Sequence, residues 1–126
     1  RQAGVIRTDT LEELFDVATP LAHQPVPAGR RVAILTNAGG PAIMAADACE
    51  ARGLPLVALA EETRAALRAL LPAAASVGNP VDMLASASAG DYRRAIALLL
   101  RDPDVDSLIV IFIPFGWLAY LVAGRR

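Results

Sequence analysis

Arg30-Arg31-Val32-Ala33-Ile34-Leu35-Thr36-Asn37-Ala38-Gly39-Gly40-Pro41 is an apolar run that empties into a small-residue turn and then opens a helical pattern. Val32–Leu35 is continuously apolar, as a parallel strand covered on both faces requires. Pro41 suits a first helical turn, where its missing N–H costs nothing. Between strand and helix, Gly39 and Gly40 let a ligand approach the backbone, and the free N–H groups and helix dipole there favour phosphate or carboxylate. Two glycines also serve simply to make such a bend. No Gly-x-Gly-x-x-Gly and no phosphate-loop lysine motif occurs in the chain, so a dinucleotide fingerprint and a P-loop are both excluded.

Working outward, strand-like and helix-like patterns alternate. A helix is predicted from about Pro41 to Arg52, closed by Gly53 at C′, and a second short strand over Leu56–Leu59. Glu61–Leu71 reads as a helix with acids in its first turn and a stop at Pro72. Asn79-Pro80-Val81-Asp82 breaks the chain and begins a short strand, Asp91–Arg101 reads as helix, and Ser107–Ile113 as a strongly apolar strand. This βαβ alternation predicts an α/β, doubly wound parallel sheet. Upstream, Thr10 and Glu13 have capping-box spacing, and Leu11, Leu14, Phe15 and Ala18 share one face of an amphipathic helix whose last turn Pro20 is expected to disturb. Gln24–Gly29 reads as a proline-stiffened connector. The expected division is therefore 1–29 as the tail of a preceding domain with its helix and linker, and 30–126 as one α/β domain.

The composition narrows the function classes. Of 126 residues, 55% are hydrophobic and 20% charged, which marks a core-forming globular chain. A formal net charge of −1 gives no electrostatic footprint for nucleic acid. The single cysteine, Cys49, falls in a helical pattern as a small apolar residue, and one cysteine forms neither an internal disulfide nor a cysteine-based metal site. No leader pattern follows Arg1, so a cytoplasmic location is expected. Leu108–Gly124 lacks charge and is followed by Arg125-Arg126, but Pro114 and Gly116 interrupt it, so membrane attachment is not expected.

Thr36-Asn-Ala-Gly-Gly-Pro41, Asn79-Pro-Val-Asp82 and Asp102-Pro-Asp-Val-Asp106, in that order after Gly4-Val-Ile-Arg7 and Thr10–Asp16, resemble the succinyl-CoA-synthetase-like flavodoxin domain of the ADP-forming acyl-CoA synthetases, among them acetate–CoA ligase. The resemblance implies a flavodoxin-like fold. It also implies a parent reaction in which acyl-CoA, ADP and phosphate interconvert with free acid, CoA and ATP through an acyl phosphate and a phosphorylated histidine.

By that resemblance, Asn37, Ala38, Gly39 and Gly40 form a substrate- or phosphate-binding loop, with Asn79, Asp82 and Pro114 as further candidates on the same sheet edge. Each has a plainer reading: Asn37 stabilises its own turn, Asn79 precedes a proline in a bend, and Asp82 caps the backbone that follows it. The resemblance places the phosphorylated histidine upstream of Arg1, so no catalytic residue and no metal ligand is assigned here. His23 reads as a helix-end surface residue. CoA, ATP/ADP and Mg belong to the parent enzyme and none to this chain. Expected partners are CoA-binding and ATP-grasp domains or subunits and a small carboxylic acid or its acyl phosphate.

The isolated chain is predicted to be inactive; an alternative is a non-catalytic regulatory or assembly module of an acetyltransferase fusion. After Ile113-Pro114 the likeness to the family ends, which predicts a sheet incomplete at its C-terminus, covered by Trp117, Leu118 and Leu121.

Overall fold

The computed structural model describes residues 5–114. The expected cover by Trp117, Leu118 and Leu121 lies outside the described residues. The elements, in order, are α1 (Leu11–His23), β1 (Val32–Thr36), α2 (Gly39–Ala51), α3 (Glu61–Leu70), β2 (Val81–Asp82), α4 (Ala89–Leu99) and β3 (Ser107–Ile111). The strands form a parallel sheet in the order β2-β1-β3, with β1 central.

The continuous apolar run of β1 has the environment its sequence demands: all five residues are buried. Alternate side chains serve two cores. Ala33 and Leu35 join Leu67, Val81, Met83, Ala95 and Leu99 beneath α3 and α4. Val32 and Ile34 join Ala42 and Cys49 beneath α2, so Cys49 is a packing residue. Leu67 and Leu99 are fully buried, and truncating either to Ala costs about 2–5 kcal/mol.

Helix ends follow local chemistry. α2 closes on Gly53 at φ +63°, with Leu54 N–H donating to Cys49 O and Gly53 N–H to Glu50 O. These two bonds form a Schellman motif. α4 begins two residues earlier than expected, because Ser88 caps it: its Oγ accepts from Asp91 N–H while the Asp91 carboxylate accepts from Ser88 N–H. In α1 the Thr10 Oγ1 accepts from Glu13 N–H, and the Glu13 carboxylate accepts from Asp9 N–H rather than from Thr10. α1 continues through Pro20 to His23, and none of its residues is buried.

The expected strand at Leu56–Leu59 does not form as such; a single parallel bridge joins Leu56 to Val32. Its pairing is limited to Val32 N–H donating to Pro55 O and Val57 N–H donating to Val32 O, and beyond these a side chain continues the ladder. The Asn79 amide accepts from Ile34 N–H at 2.9 Å and donates to Val32 O at 2.7 Å and Val57 O at 2.9 Å, bridging the gap before Val81 pairs with Leu35. At the base of the sheet, Arg31 Nε and Nη2 grip both oxygens of Asp106, and Nη1 reaches Asp104 at 3.0 Å. Asp102 is buried; its Oδ2 accepts from Ala60 N–H, tying the start of α3 to the end of α4.

Candidate functional site on the carboxyl edge of the sheet

In an open α/β sheet, ligands bind outside the carboxyl ends of the strands. Three segments meet at that edge here: Thr36–Gly40 after β1, Asp82–Leu84 after β2, and Phe112–Pro114 after β3.

The turn after β1 is built largely by side chains that spend themselves on backbone. Thr36 Oγ1 accepts from Ala38 N–H and donates to Ala38 O, both at 3.0 Å. Asn37 is 3% exposed, and its amide is engaged with Ile113, donating to its O and accepting from its N–H, each at 2.9 Å. The Asn37 side chain is thus turned to the loop after β3 in the unliganded chain. The Asn79 amide is likewise committed to backbone, inside the sheet. A buried amide seeks partners for all its polar atoms, and backbone supplies them in both cases.

What remains for a ligand is main chain. α2 begins at Gly39, with Ala38 as its N-cap residue, no side-chain cap and no acid in its first turn. Gly39 and Gly40 are exposed, and a Cβ on Gly40 would meet nothing within 4 Å. Gly39 is more confined: a Cβ there would stand 3.3 Å from Asp82 Oδ2. The other Asp82 oxygen accepts from Leu84 N–H at 2.9 Å, and Leu84 takes φ +70°. Asp82 thus holds its own turn, as its plainer reading has it, and also borders the Gly39 turn. Pro114 is exposed at the rim.

Tyr92, on α4, was not anticipated from sequence. Its Oη donates to Ile111 O at 2.8 Å, and its ring packs edge-on to Phe112 at 5.6 Å. Burial pushes the phenol pKa up, the Asp82 charge adds to this, and a hydrogen bond with the Asn37 backbone opposes it. The Ser88-x-x-Asp91 spacing, which fixes the start of α4, was the signal that could have placed Tyr92 one turn into a helix facing this edge.

A concavity of about 590 Å³ lies beside Tyr92 and Phe112, lined also by Ala87, Ala89, Arg93 and Ile96, and other concavities lie away from this edge. One of about 530 Å³, lined by Ala46, Asp47, Glu50, Leu54 and Leu56, sits at the opposite end of α2, where two acids disfavour an anion. His23 is exposed, its Nδ1 2.9 Å from Thr19 O, and does not belong to the carboxyl edge. Among the described residues no cluster of His, Cys, Asp and Glu is arranged to hold a metal. No described helix is long and apolar enough to cross a membrane.

Residues 32–119 match the family model described as the Ligase-CoA domain. The chain belongs to that family. As a Ligase-CoA domain it is 50% identical over 111 residues to the alpha subunit of acetate–CoA ligase (ADP-forming) II from Pyrococcus furiosus, covering 88% of this chain and 24% of that protein. Against acetate–CoA ligase (ADP-forming) I from Archaeoglobus fulgidus it is 44% identical over 125 residues, covering 99% and 18%. The dinucleotide-forming acetyl-coenzyme A synthetase 1 of Candidatus Korarchaeum cryptofilum, solved in complex with phosphate and ADP, superposes with a TM-score of 0.79 at 31% identity, covering 88% and 24%. The Ligase-CoA domain described here therefore spans about a quarter or less of the proteins it matches.

Proposed function

We propose that this Ligase-CoA domain works within an ADP-forming acid–CoA ligase, where its carboxyl edge holds a phosphate or acyl-phosphate group while acyl-CoA, ADP and phosphate interconvert with acid, CoA and ATP. One observation carries this reading. Among the described helices, only α2 opens with neither a capping side chain nor an acid in its first turn. α1 and α4 are capped by Thr10 and Ser88, and α3 carries Glu61 and Glu62, with Ala60 N–H bonded to Asp102. A helix start left with unsatisfied N–H groups and a positive dipole end is suited to an external anion.

The geometry supports a role for each residue. Gly39 and Gly40 supply N–H donors, Gly40 leaves the approach open, and Ala38 shapes the turn while its own N–H is occupied by Thr36. Asp82 beside Gly39 disfavours a dianion on that flank and directs it toward Gly40. CoA, the nucleotide with its Mg, and the phosphorylated histidine come from CoA-binding and ATP-grasp partner domains. A retained phosphoryl group at such donors is stabilised without reorganisation as charge moves between acyl and histidine carriers.

The test is Gly40→Val in the ligase that contains this chain. Losing a charge-assisted bond worth about 1.5–3 kcal/mol raises the phosphate KM roughly ten- to a hundredfold. The melting temperature of the chain should stay close to wild type, because the added side chain enters open space. An unchanged phosphate KM would overturn the reading.

A further inference from the structure

The β1–β3 ladder runs in register from Val32↔Ser107 to Thr36↔Ile111 and then stops as regular pairing. Beyond it, the Asn37 side chain behaves as one more peptide unit: it donates to Ile113 O and accepts from Ile113 N–H at 2.9 Å each. Two bonds in opposite directions, from a side chain that is 3% exposed, fix both the height and the orientation of the Ile113 backbone relative to the turn that opens α2. Tyr92 Oη on Ile111 O and the Tyr92–Phe112 ring contact hold the same stretch from the other side. The segment Phe112–Pro114 is thereby registered on Thr36–Gly40 by side chains alone.

We propose that Asn37 is a positioning residue: it clamps Ile113–Pro114 against the Gly39–Gly40 turn, so that the loops after β1 and β3 present one fixed surface to the ligand. Its kinetic consequence rests on the phosphate reading above, whereas the clamp itself is a property of the unliganded chain. A residue whose task was to touch the ligand would present its amide to solvent, and this one is 3% exposed with both its oxygen and its nitrogen turned to the Ile113 backbone. A residue that only shaped its own turn would bond within Thr36–Gly40, and this one bonds across 76 positions of sequence.

Asn37→Asp tests the clamp, because the substitution preserves shape and makes half of the interaction titratable. One carboxyl oxygen still accepts from Ile113 N–H. The other faces Ile113 O and binds it only when protonated, so burial and that carbonyl raise the introduced group's pKa. With a folded pKa above the unfolded value near 4, stability is fully present at low pH and is lost as pH rises through the folded pKa.

Amide exchange of the unliganded chain, followed residue by residue by NMR, should show Ile113 protected in wild type at every pH. In Asn37→Asp it should be protected at pH 5 and at least tenfold less protected at pH 8. Wild-type protection of Ile113 at both pH values would overturn the proposal. Ile113→Pro removes the donor and leaves Asn37 in place, so in the ligase it should raise the phosphate KM to the same extent as Asn37→Asp at pH 8. A phosphate KM that responds to Asn37→Asp but not to Ile113→Pro would show Asn37 acting on the ligand directly and would also overturn it. Gly40→Val reports separately: if it leaves the phosphate KM unchanged, the phosphate reading fails while the exchange data still decide the clamp.

Discussion

At the two ends of α2, Gly40 and Gly53 place opposite demands on the backbone. Gly53 sits at φ +63°, where a Cβ is strained, so Gly53→Ala should cost about 1–2 kcal/mol in urea denaturation. Gly40 has no positive φ and its Cβ direction is open, so Gly40→Ala should stabilise the chain by about 0.4–1 kcal/mol, chiefly by restricting the unfolded state. If the first turn of α2 receives an anion, that more stable variant should nonetheless bind phosphate less well. Stability and binding moving in opposite directions at one atom would separate a functional glycine from a structural one. Asn79 makes the contrasting case of a polar residue with a structural task. Asn79→Leu should leave Ile34 N–H and Val57 O without partners in the sheet and Val32 O with only the 3.3 Å bond from Val57 N–H, and each buried unsatisfied group costs about 1–3 kcal/mol. Loss of cooperative folding, or a drop of at least about 3 kcal/mol, is the expected result; a change below about 1 kcal/mol would show that water replaces the amide.

Among the elements, those whose signal is local were the ones legible in sequence. β1 declares itself by four consecutive apolar residues, α2 by its terminal Gly53, and α3 by its opening acids and its stop at Pro72. What was not legible depends on contacts between distant segments. Leu56–Leu59 has a strand's composition, but the Asn79 amide, more than twenty positions away, occupies the ladder beside β1. Asn37 has the composition of a ligand contact, but Ile113 takes both ends of its amide. The start of α4 was local yet overlooked, since Asp91 is a less familiar partner in a capping box than Glu. That box has a pH signature. Bonds from the Ser88 hydroxyl and Ser88 N–H, then from Arg94, hold the Asp91 carboxyl down at about 2. Its folded pKa lies below the unfolded value, so its stabilising contribution is present above about pH 4 and is lost as pH falls toward 2. Asp106 is lowered by its hydrogen bonds from Arg31. At Asp102 burial raises the pKa, but bonds from Thr63, Asp104 N–H and Ala60 N–H outweigh it. Acid unfolding should therefore be steep below pH 4. In Ser88→Ala, a carbon-detected titration should find Asp91 moved up toward an ordinary carboxyl; a value still near 2 would assign the shift to the backbone N–H of residue 88 and to Arg94 rather than to the hydroxyl.

For the molecule as a whole, two of the places where the described surface exposes large apolar side chains are α1 and β3. Leu11, Leu14, Phe15 and Leu21 line α1 without covering anything, and Val110 and Phe112 on β3 are 44% and 60% exposed. β3 pairs with β1 on one side and with no described strand on the other, so its outer backbone groups and these two side chains form an open template for association. On the proposal that the chain works within a ligase of several domains, such surfaces are suited to contacts with partners. In the chain alone they are a liability, and the two situations give opposite responses to one substitution. Val110→Lys places a charge on the edge without touching either buried core, since Val110 belongs to neither. In the purified chain it should lower concentration-dependent association, seen as a shift toward monomer in sedimentation velocity, with the denaturation midpoint nearly unchanged. In the assembled ligase the same lysine should weaken domain association if β3 is covered there. A destabilised but still associating Val110→Lys chain would mean that this edge is already part of a folded core, and that association proceeds through the α1 face.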